Sequence, residues 1–363
     1  MSETRRAVLK ATTGILVAGG VSAASGLGDY DEEVRRTWRH SEGVPADRTA
    51  LLRELARYAT LAPSGHNTQP WKFRLRKDRI DLLADYSRRT PIADPDDHHL
   101  WVSLGCAAEN LTQAATAFGM HADLSVSGDG VHIDLSPSAA RRTAWFEAIP
   151  WRRSTRAEYD GRAFGSDEIR QLERAAMGLD VRMELLANQK QLNQVRDCVI
   201  AGNTAQMADG AFIRELKAWI RFNRSEAVER KDGLFAGCSG NAEVPRWLGS
   251  TMFSLFFTRD GENDKYAKQI RSSAGVAVFA AAQATPSGWV AAGRACERFL
   301  LQAAALDVRT AFINQPVEVK ALRPQFASLM GMGGLRPDLV VRFGRGPTMS
   351  VSLRRPVEAL LVE

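Results

Sequence analysis

The chain resembles itself. WVSLGCAAENLTQAATAFGM (101–120) set against WVAAGRACERFLLQAAALDV (289–308) leaves seven of twenty positions identical without a gap, at an offset of 188 residues. VRRTWR (34–39) matches WRRSTR (151–156), and LLRELARYA (51–59) matches EIRQLERAA (168–176), both at an offset of 117. The matching segments occur in the same order, so the simplest reading is a duplication whose second copy carries 71 further residues, the difference between the two offsets. Chance similarity between alanine-rich helices is the alternative.

Each copy reads as an arginine-rich start, a helix, an irregular segment and a long alanine-rich helix. Strand patterns in the first are WKFRLR (71–76) and RIDLLAD (79–85), a hairpin around Lys77-Asp78, with DLSVS and VHIDL after the long helix. In the second they are VRMELL (181–186) and LVVRFG (339–344), and GVAVFAAAQA (275–284) is a buried strand or helix. Helices and short strands alternate without a βαβ rhythm. GxGxxG and GxxxxGK[ST] are both missing, which argues against nucleotide sites of those kinds. The surplus of the second copy lies between Ala176 and Trp289. It includes an amphipathic helix over 203–223, apolar at 207, 212, 216, 219 and 220, and then the glycine-rich, mobile-looking KDGLFAGCSGNAEVPRW.

The start of the chain reads differently. Thr4-Arg5-Arg6-Ala7-Val8-Leu9-Lys10 precedes a weakly apolar stretch, Ala11 to Leu27, with Val21-Ser22-Ala23 as a small-residue cleavage site. Residues 1–27 thus resemble a twin-arginine export signal; a short membrane anchor or a chance arginine pair is the alternative. The stretch is short and glycine-rich beside the roughly 20 strongly apolar residues of a membrane span. The mature chain is expected to begin near Ala24 with no membrane segment, and to be periplasmic or in the cell envelope, or cytoplasmic if the signal is not used. Residues 28–45 read as loop, with compact structure from a helix at 47–60.

With 45% hydrophobic and 25% charged residues, the bulk is ordinary globular chain. The net charge of +6 comes from scattered arginines without a like-charge block, so nucleic acid is not an expected partner. Cys106, Cys198, Cys238 and Cys296 show no CxxC spacing and the six histidines no HExxH, so no metal site is expected.

Two irregular segments carry candidate chemistry. APSGHNTQPW (62–71) offers Ser64, His66, Asn67 and Gln69 as hydrogen-bonding side chains. RRSTR (152–156) offers guanidinium forks from Arg152, Arg153 and Arg156 and the Ser154 hydroxyl, groups that suit bidentate phosphate contact. Alone, the first reads as a self-bonded turn and the second as a solvated basic run. The first copy has only RRTWR at the place of RRSTR, and the second has nothing like SGHNTQPW after its helix, so each half keeps one piece of a site.

Together the two segments resemble the nitroreductase superfamily of FMN enzymes, in which an RxSxR-type start grips the ribityl phosphate and a PSxxNxQPW segment of the partner subunit reaches the same flavin. The duplicated, single-site arrangement is similar to the Acg-type branch. The resemblance runs from about residue 35 to 363, including the terminal GLRPDLVVRFGRGP and SLRRPVEALLVE. It implies an α+β, nitroreductase-like fold of two fused halves, 35–145 and 146–363, forming an intrachain pseudo-dimer, with a lid-like insertion at about 200–285. The bland reading of that insertion is peripheral packing.

By position, the resemblance makes Arg152, Arg153, Ser154 and Arg156 phosphate and ribityl ligands, with Pro63, Ser64, Gly65 and Asn67 contributed by the other half. Arg345, Arg354 and Arg355 are further basic groups, or surface arginines, and Asn314-Gln315-Pro316 presents backbone amides near the reactive edge of the ring. No catalytic side chain is required, because hydride chemistry belongs to the flavin. The expected activity takes NAD(P)H or another reductant as donor and a small flat acceptor such as a nitroaromatic or quinone, in a chain able to act as a monomer. The alternative is a flavin-binding or flavin-sequestering protein with little turnover.

Overall fold

The structure, a computed structural model, describes residues 20–178 and 180–363. The twin-arginine motif and most of its apolar stretch lie outside the described residues. Helix α1 (Gly20–Thr37) opens the described chain. It replaces much of the loop expected over 28–45, because Tyr30 is a buried anchor: its hydroxyl donates to the Val351 carbonyl at 2.6 Å and its ring centre lies 5.2 Å from that of Phe235.

The first half then runs α2 (Arg48–Thr60), β1 (Trp71–Arg76), β2 (Arg79–Ala84), α3 (His98–Ala117), β3 (Met120–Ser127), β4 (Gly130–Pro137) and the short α4 (Ala144–Ala148). In the second half, α5 (Ser166–Ala176) and β5 (Val181–Leu186) lead into an insertion. It holds α6 (Gln189–Ala208), α7 (Gly210–Trp219), β6 (Ile220–Arg221), α8 (Arg224–Arg230), β7 (Leu234–Phe235), α9 (Arg246–Phe256) and α10 (Arg259–Arg271). Next come β8 (Gly275–Ala281), α11 (Pro286–Ala305), β9 (Arg309–Phe312), α12 (Gln315–Glu318), α13 (Arg323–Leu329) and β10 (Leu339–Gly344). The expected α+β class is what is found.

Without the insertion the halves share one plan: helix, two strands, long helix, two strands. The sheet orders are β1-β2-β4-β3 and β5-β8-β10-β9, the same permutation, and every pairing in both is antiparallel. Helices α3 and α11 begin and end at matched positions of the internal repeat. The insertion lies between β5 and β8, where the first half has only the turn Lys77-Asp78. Its bounds therefore differ from the expected 200–285, since β8 is a fully buried core strand. The single helix expected over 203–223 breaks at Asp209, whose extended backbone ends α6 and whose carboxylate accepts from Ala211 N–H at 2.7 Å to start α7. The glycine-rich 231–247 segment is anchored, because Phe235 and Cys238 are buried in a small cluster with Tyr30 and Leu353.

The halves meet along α3 and α11. A Cβ on Gly105 would lie 2.2 Å from the Val290 carbonyl oxygen, and one on Gly293 would lie 2.1 Å from that of Val102. Gly105 pairs with Gly293 in the repeat and Val102 with Val290. Such reciprocal contact, i to j and j to i, is the geometry of an isologous two-fold interface. One hydrophobic core takes residues from both halves, and the chain end returns to the first, with Val362 N–H donating to Phe73 O at 2.9 Å. Among the described residues no helix is long and apolar enough to cross a membrane.

Candidate functional site

The 62–71 segment leaves the end of α2 in an unusual conformation. His66, Asn67 and Gln69 all have left-handed backbones (φ 48°, 54° and 53°), a region that non-glycine residues enter only when their surroundings hold them there. The holding groups are visible. Asn67 Nδ2 donates to Gly233 O and Leu353 O at 3.1 and 3.2 Å, and its Oδ1 accepts from Arg354 at 2.9 Å. Gln69 Nε2 donates to Lys231 O at 2.8 Å while its Oε1 accepts from Arg355 N–H at 2.8 Å, and Gln69 N–H donates to Ser64 Oγ at 3.0 Å. The amides of Asn67 and Gln69 thus tie this segment to the 231–233 loop and the C-terminal tail. Pro63, Ser64, Gly65 and His66 line a cavity.

The RRSTR segment lies along the edge of the second sheet. Ser154 bridges to Thr310 of β9 in parallel fashion, and Thr155 N–H donates to Thr310 O at 2.8 Å. Buried Arg342 fixes the following turn, donating to Thr155 O and Ala157 O at 3.1 and 2.7 Å. The three arginines differ. Arg152 is buried, donates to Leu61 O at 2.9 Å and stands 3.4 Å from the Glu297 carboxylate. Arg153 is half-buried and donates to Met349 O at 3.1 Å. The Arg156 backbone carbonyl accepts from Gln269 at 2.6 Å, and its guanidinium makes no hydrogen bond or ion pair among the described residues.

Two adjoining cavities meet at Arg156. The larger encloses about 190 Å³ and the smaller about 60 Å³, and they share Pro63, Ser64, Arg156, Leu234 and Phe312 as walls. The smaller is cationic, with Arg152, Arg153, Ser154, Arg156 and Arg354 together with Asn67. The larger has an apolar flank of Phe212, Leu216 and Phe257 from the insertion, and a polar wall that includes His99, Gln206, Tyr266, Asn314, Gln315 and Glu318. Asn314 Oδ1 accepts from Val340 N–H at 2.9 Å, which fixes the turn, while the backbone N–H groups of Asn314 and Gln315 make no hydrogen bond among the described residues. Buried Gln315 Oε1 likewise lacks a partner among them. An anion-sized cationic end with an uncommitted guanidinium, joined to a wider end with free donors and an orphaned acceptor, fits a phosphorylated, flat, hydrogen-bonding cofactor.

The expected residues are therefore brought together with two exceptions. Arg345 pairs with Glu168 at 2.5 Å and stacks on Phe164, and it lines neither cavity. Arg355 turns to a separate cavity bordered by Arg36, Arg53 and Arg57. Arg354 borders the cationic end, but its guanidinium donates to Thr60 O, Leu61 O and Ala62 O at 2.8, 3.3 and 3.2 Å, closing the open end of α2. Nothing near RRP in the sequence says that only the first of the two arginines borders the cationic end.

Of the titratable lining residues, His66 belongs to the segment already singled out, whereas His99 and Glu318 carry no sequence signal of their own. Burial, with the Arg156 cation, pushes the His66 imidazole down to about 4, and burial, with His98, pushes His99 down to about 3, so both are neutral near pH 7. Burial pushes the Glu318 carboxyl up to about 7. Asp94, His98 and His99 place one potential metal-ligand atom each within 4.8 Å of one another. His98 Nδ1, however, is 2.9 Å from both Asp94 and Asp96, and Asp96 also pairs with Arg323 and Arg336 at 3.0 and 2.8 Å. Two guanidiniums beside it make this an ion-pair network rather than a cation site.

No family model matches the chain. It is similar to two curated proteins of Mycobacterium tuberculosis, "Putative NAD(P)H nitroreductase Rv3131" of strain H37Rv and "Putative NAD(P)H nitroreductase MT3217" of strain CDC 1551. Each is 26% identical over 310 residues, covering 82% of this chain and 85% of the relative. Among solved structures it is similar to a nitroreductase with bound FMN from Desulfitobacterium hafniense DCB-2, with 12% identity, 61% of this chain and 99% of that one covered, and a TM-score of 0.37. It is also similar to the FMN-dependent nitroreductase NfnB from Mycobacterium smegmatis in complex with NADPH, with 10% identity, 56% and 87% covered, and a TM-score of 0.37.

Proposed function

We propose that this chain is an FMN-dependent NAD(P)H oxidoreductase of the nitroreductase type, with one flavin site built from both halves of a fused pseudo-dimer. The observation that carries the reading is the pair of adjoining cavities that share the uncommitted Arg156 as a wall. Arg153, Ser154 and Arg156 would hold the phosphate, and Pro63, Ser64 and Gly65 from the first half would close on the cofactor. The free N–H groups of Asn314 and Gln315 would face the ring, where oriented donors favour developing negative charge. When bound, the flavin would supply hydride acceptance and release. Phe212, Leu216 and Phe257 make one flank of the wider end apolar and suit a flat apolar acceptor such as a nitroaromatic or a quinone. The names of the two mycobacterial relatives agree with this class of reaction.

The duplication accounts for a single site, because RRSTR and SGHNTQPW survive on opposite copies. The chain would then act as a monomer, exported through its twin-arginine signal, with a donor other than NAD(P)H if it works outside the cytoplasm. The test is an absorbance spectrum of protein purified from Ala24 onward, before and after anaerobic NADPH, with FMN titrated into Arg156→Gln in parallel. Yellow protein that bleaches, and a variant that binds FMN about tenfold more weakly through loss of one charge-assisted contact, are expected. Colourless protein that takes up no added FMN would overturn the reading. The insertion supplies Leu234 and Phe257 to the cavity wall, which favours flavin sequestration as the second reading; yellow protein that neither NADPH nor a chemical mediator can turn over would select it.

A further inference from the structure

The larger cavity contains one group able to exchange a proton near neutral pH. Of its titratable lining residues, His66 and His99 are held neutral, while burial pushes the Cys106 thiol and the Tyr266 hydroxyl up so that both keep their protons. Glu318 remains, on α12, three residues beyond the free N–H of Gln315.

Its surroundings leave one oxygen available. Gln206 of α6 donates to Glu318 Oε2 at 2.5 Å, leaving Oε1, which lies 4.0 Å from His99 Nδ1. The other His99 nitrogen, Nε2, is 3.0 Å from the Asp338 carbonyl oxygen, which can only accept, so Nε2 carries the hydrogen and Nδ1 keeps its lone pair toward Glu318. A proton on Glu318 would thus sit on Oε1, the oxygen nearer His99, in a side chain that lines the cavity. The charged groups around it are Asp94, which favours the protonated form, and His98 and Arg323, which oppose it; the neutral Tyr266 hydroxyl of α10 is also nearby.

We propose that Glu318 protonates the acceptor as it is reduced, with His99 as its positioning partner; this rests on the oxidoreductase reading above. The balance requires one proton beyond the hydride. A nicotinamide supplies a hydride, two electrons and one proton, whereas a quinone becoming a hydroquinone takes two electrons and two protons. The Glu318 O–H bond breaks as the second phenolic O–H bond forms, and the carboxylate left behind regains its proton from solvent after product leaves.

Two measurements on the full mature chain test this. The first needs no flavin: in the difference between wild type and Glu318→Gln, which keeps the bond from Gln206, the infrared carbonyl band of one protonated carboxyl should fade as pH rises through neutrality, the Glu297 band cancelling because both proteins share it. The second follows FMN-loaded protein in rapid mixing. In Glu318→Gln, oxidation by a naphthoquinone should slow about 100-fold relative to reduction by NADPH and lose its decline above neutral pH. Glu318→Ala should recover speed when acetate is added. A variant with the wild-type oxidation rate and pH profile overturns the proposal, as does a slow variant whose pH profile is unmoved and which acetate does not rescue. Protein that binds no FMN overturns the oxidoreductase reading, and this inference with it.

Discussion

Arg152 and Arg156 stand four residues apart in a run that reads as one cationic cradle, yet their surroundings give them separate tasks. Arg156 has no protein partner among the described residues, so Arg156→Gln should alter ligand affinity and leave folding stability within about 0.5 kcal/mol. Arg152 faces Glu297, which is fully buried and whose carboxyl burial pushes up from 4.5 to about 7 even with Arg152 beside it. Arg152→Met removes that compensation and should destabilise the fold by roughly 3 kcal/mol. The sign with pH follows. The folded carboxyl binds its proton more tightly than the unfolded one, so wild-type stability falls as pH rises from about 4.5 and levels off above about 7. Without the cation the folded value climbs further and the decline continues past 7. The stability deficit of Arg152→Met should therefore widen between pH 6 and pH 9, which urea unfolding across that range measures; a constant deficit would mean that the carboxyl does not feel Arg152.

At the scale of elements, the crossing of α3 and α11 depends on two residues without side chains. A methyl group at position 105 or 293 would stand little more than 2 Å from a carbonyl oxygen of the opposing backbone, which cannot swing aside as a side chain can. Gly105→Ala and Gly293→Ala should each destabilise by about 3 kcal/mol in chemical denaturation, whereas Gly43→Ala, with nothing within 4 Å, should be silent. Equal losses at 105 and 293 would follow from the reciprocal geometry; a loss at only one would argue against it. The long helices, the Lys77-Asp78 hairpin and strands β5 and β10 were legible because their periodicity and turn residues are local signals. The break at Asp209 was not, since the apolar spacing runs through it and the carboxylate cap belongs to the next helix. Nor was the anchoring of the 231–247 segment, which depends on Tyr30, about two hundred residues away in the chain. At the cavities, the resemblance drew attention to Arg152, Arg153, Arg156 and Pro63 to Gly65, which line them, and to Arg345 and Arg355, which do not. It could not show that the Asn67 and Gln69 amides are taken up by backbone groups, or that Glu318 and His99 converge on the same cavity, because those partners come from other elements.

For the molecule as a whole, the question is whether the two halves are domains or parts of one core. Eighteen of the twenty residues of α3 are buried, so this helix has no solvent face. A helix apolar and covered all round needs neighbours on every side. The first sheet and α2 cover part of it, and α11 covers much of the rest. The exchange runs both ways, because the C-terminal tail adds Leu361 beside β1, and Arg354 closes the end of α2. Residues 35–145 produced alone should accordingly expose the α11-facing side of α3, lose the cap on α2 and fail to fold, while 146–363 alone should lack Pro63 to Gly65 and bind FMN weakly or not at all. Produced together, the fragments should associate, as separate subunits with an isologous interface would, and regain FMN binding. Thermal unfolding of the intact chain should then be a single transition with calorimetric and van't Hoff enthalpies in agreement. Two resolved transitions, or a first half that folds by itself, would instead make α3 and α11 a contact between finished domains. The two glycines would then be the price of close docking rather than the centre of a shared core.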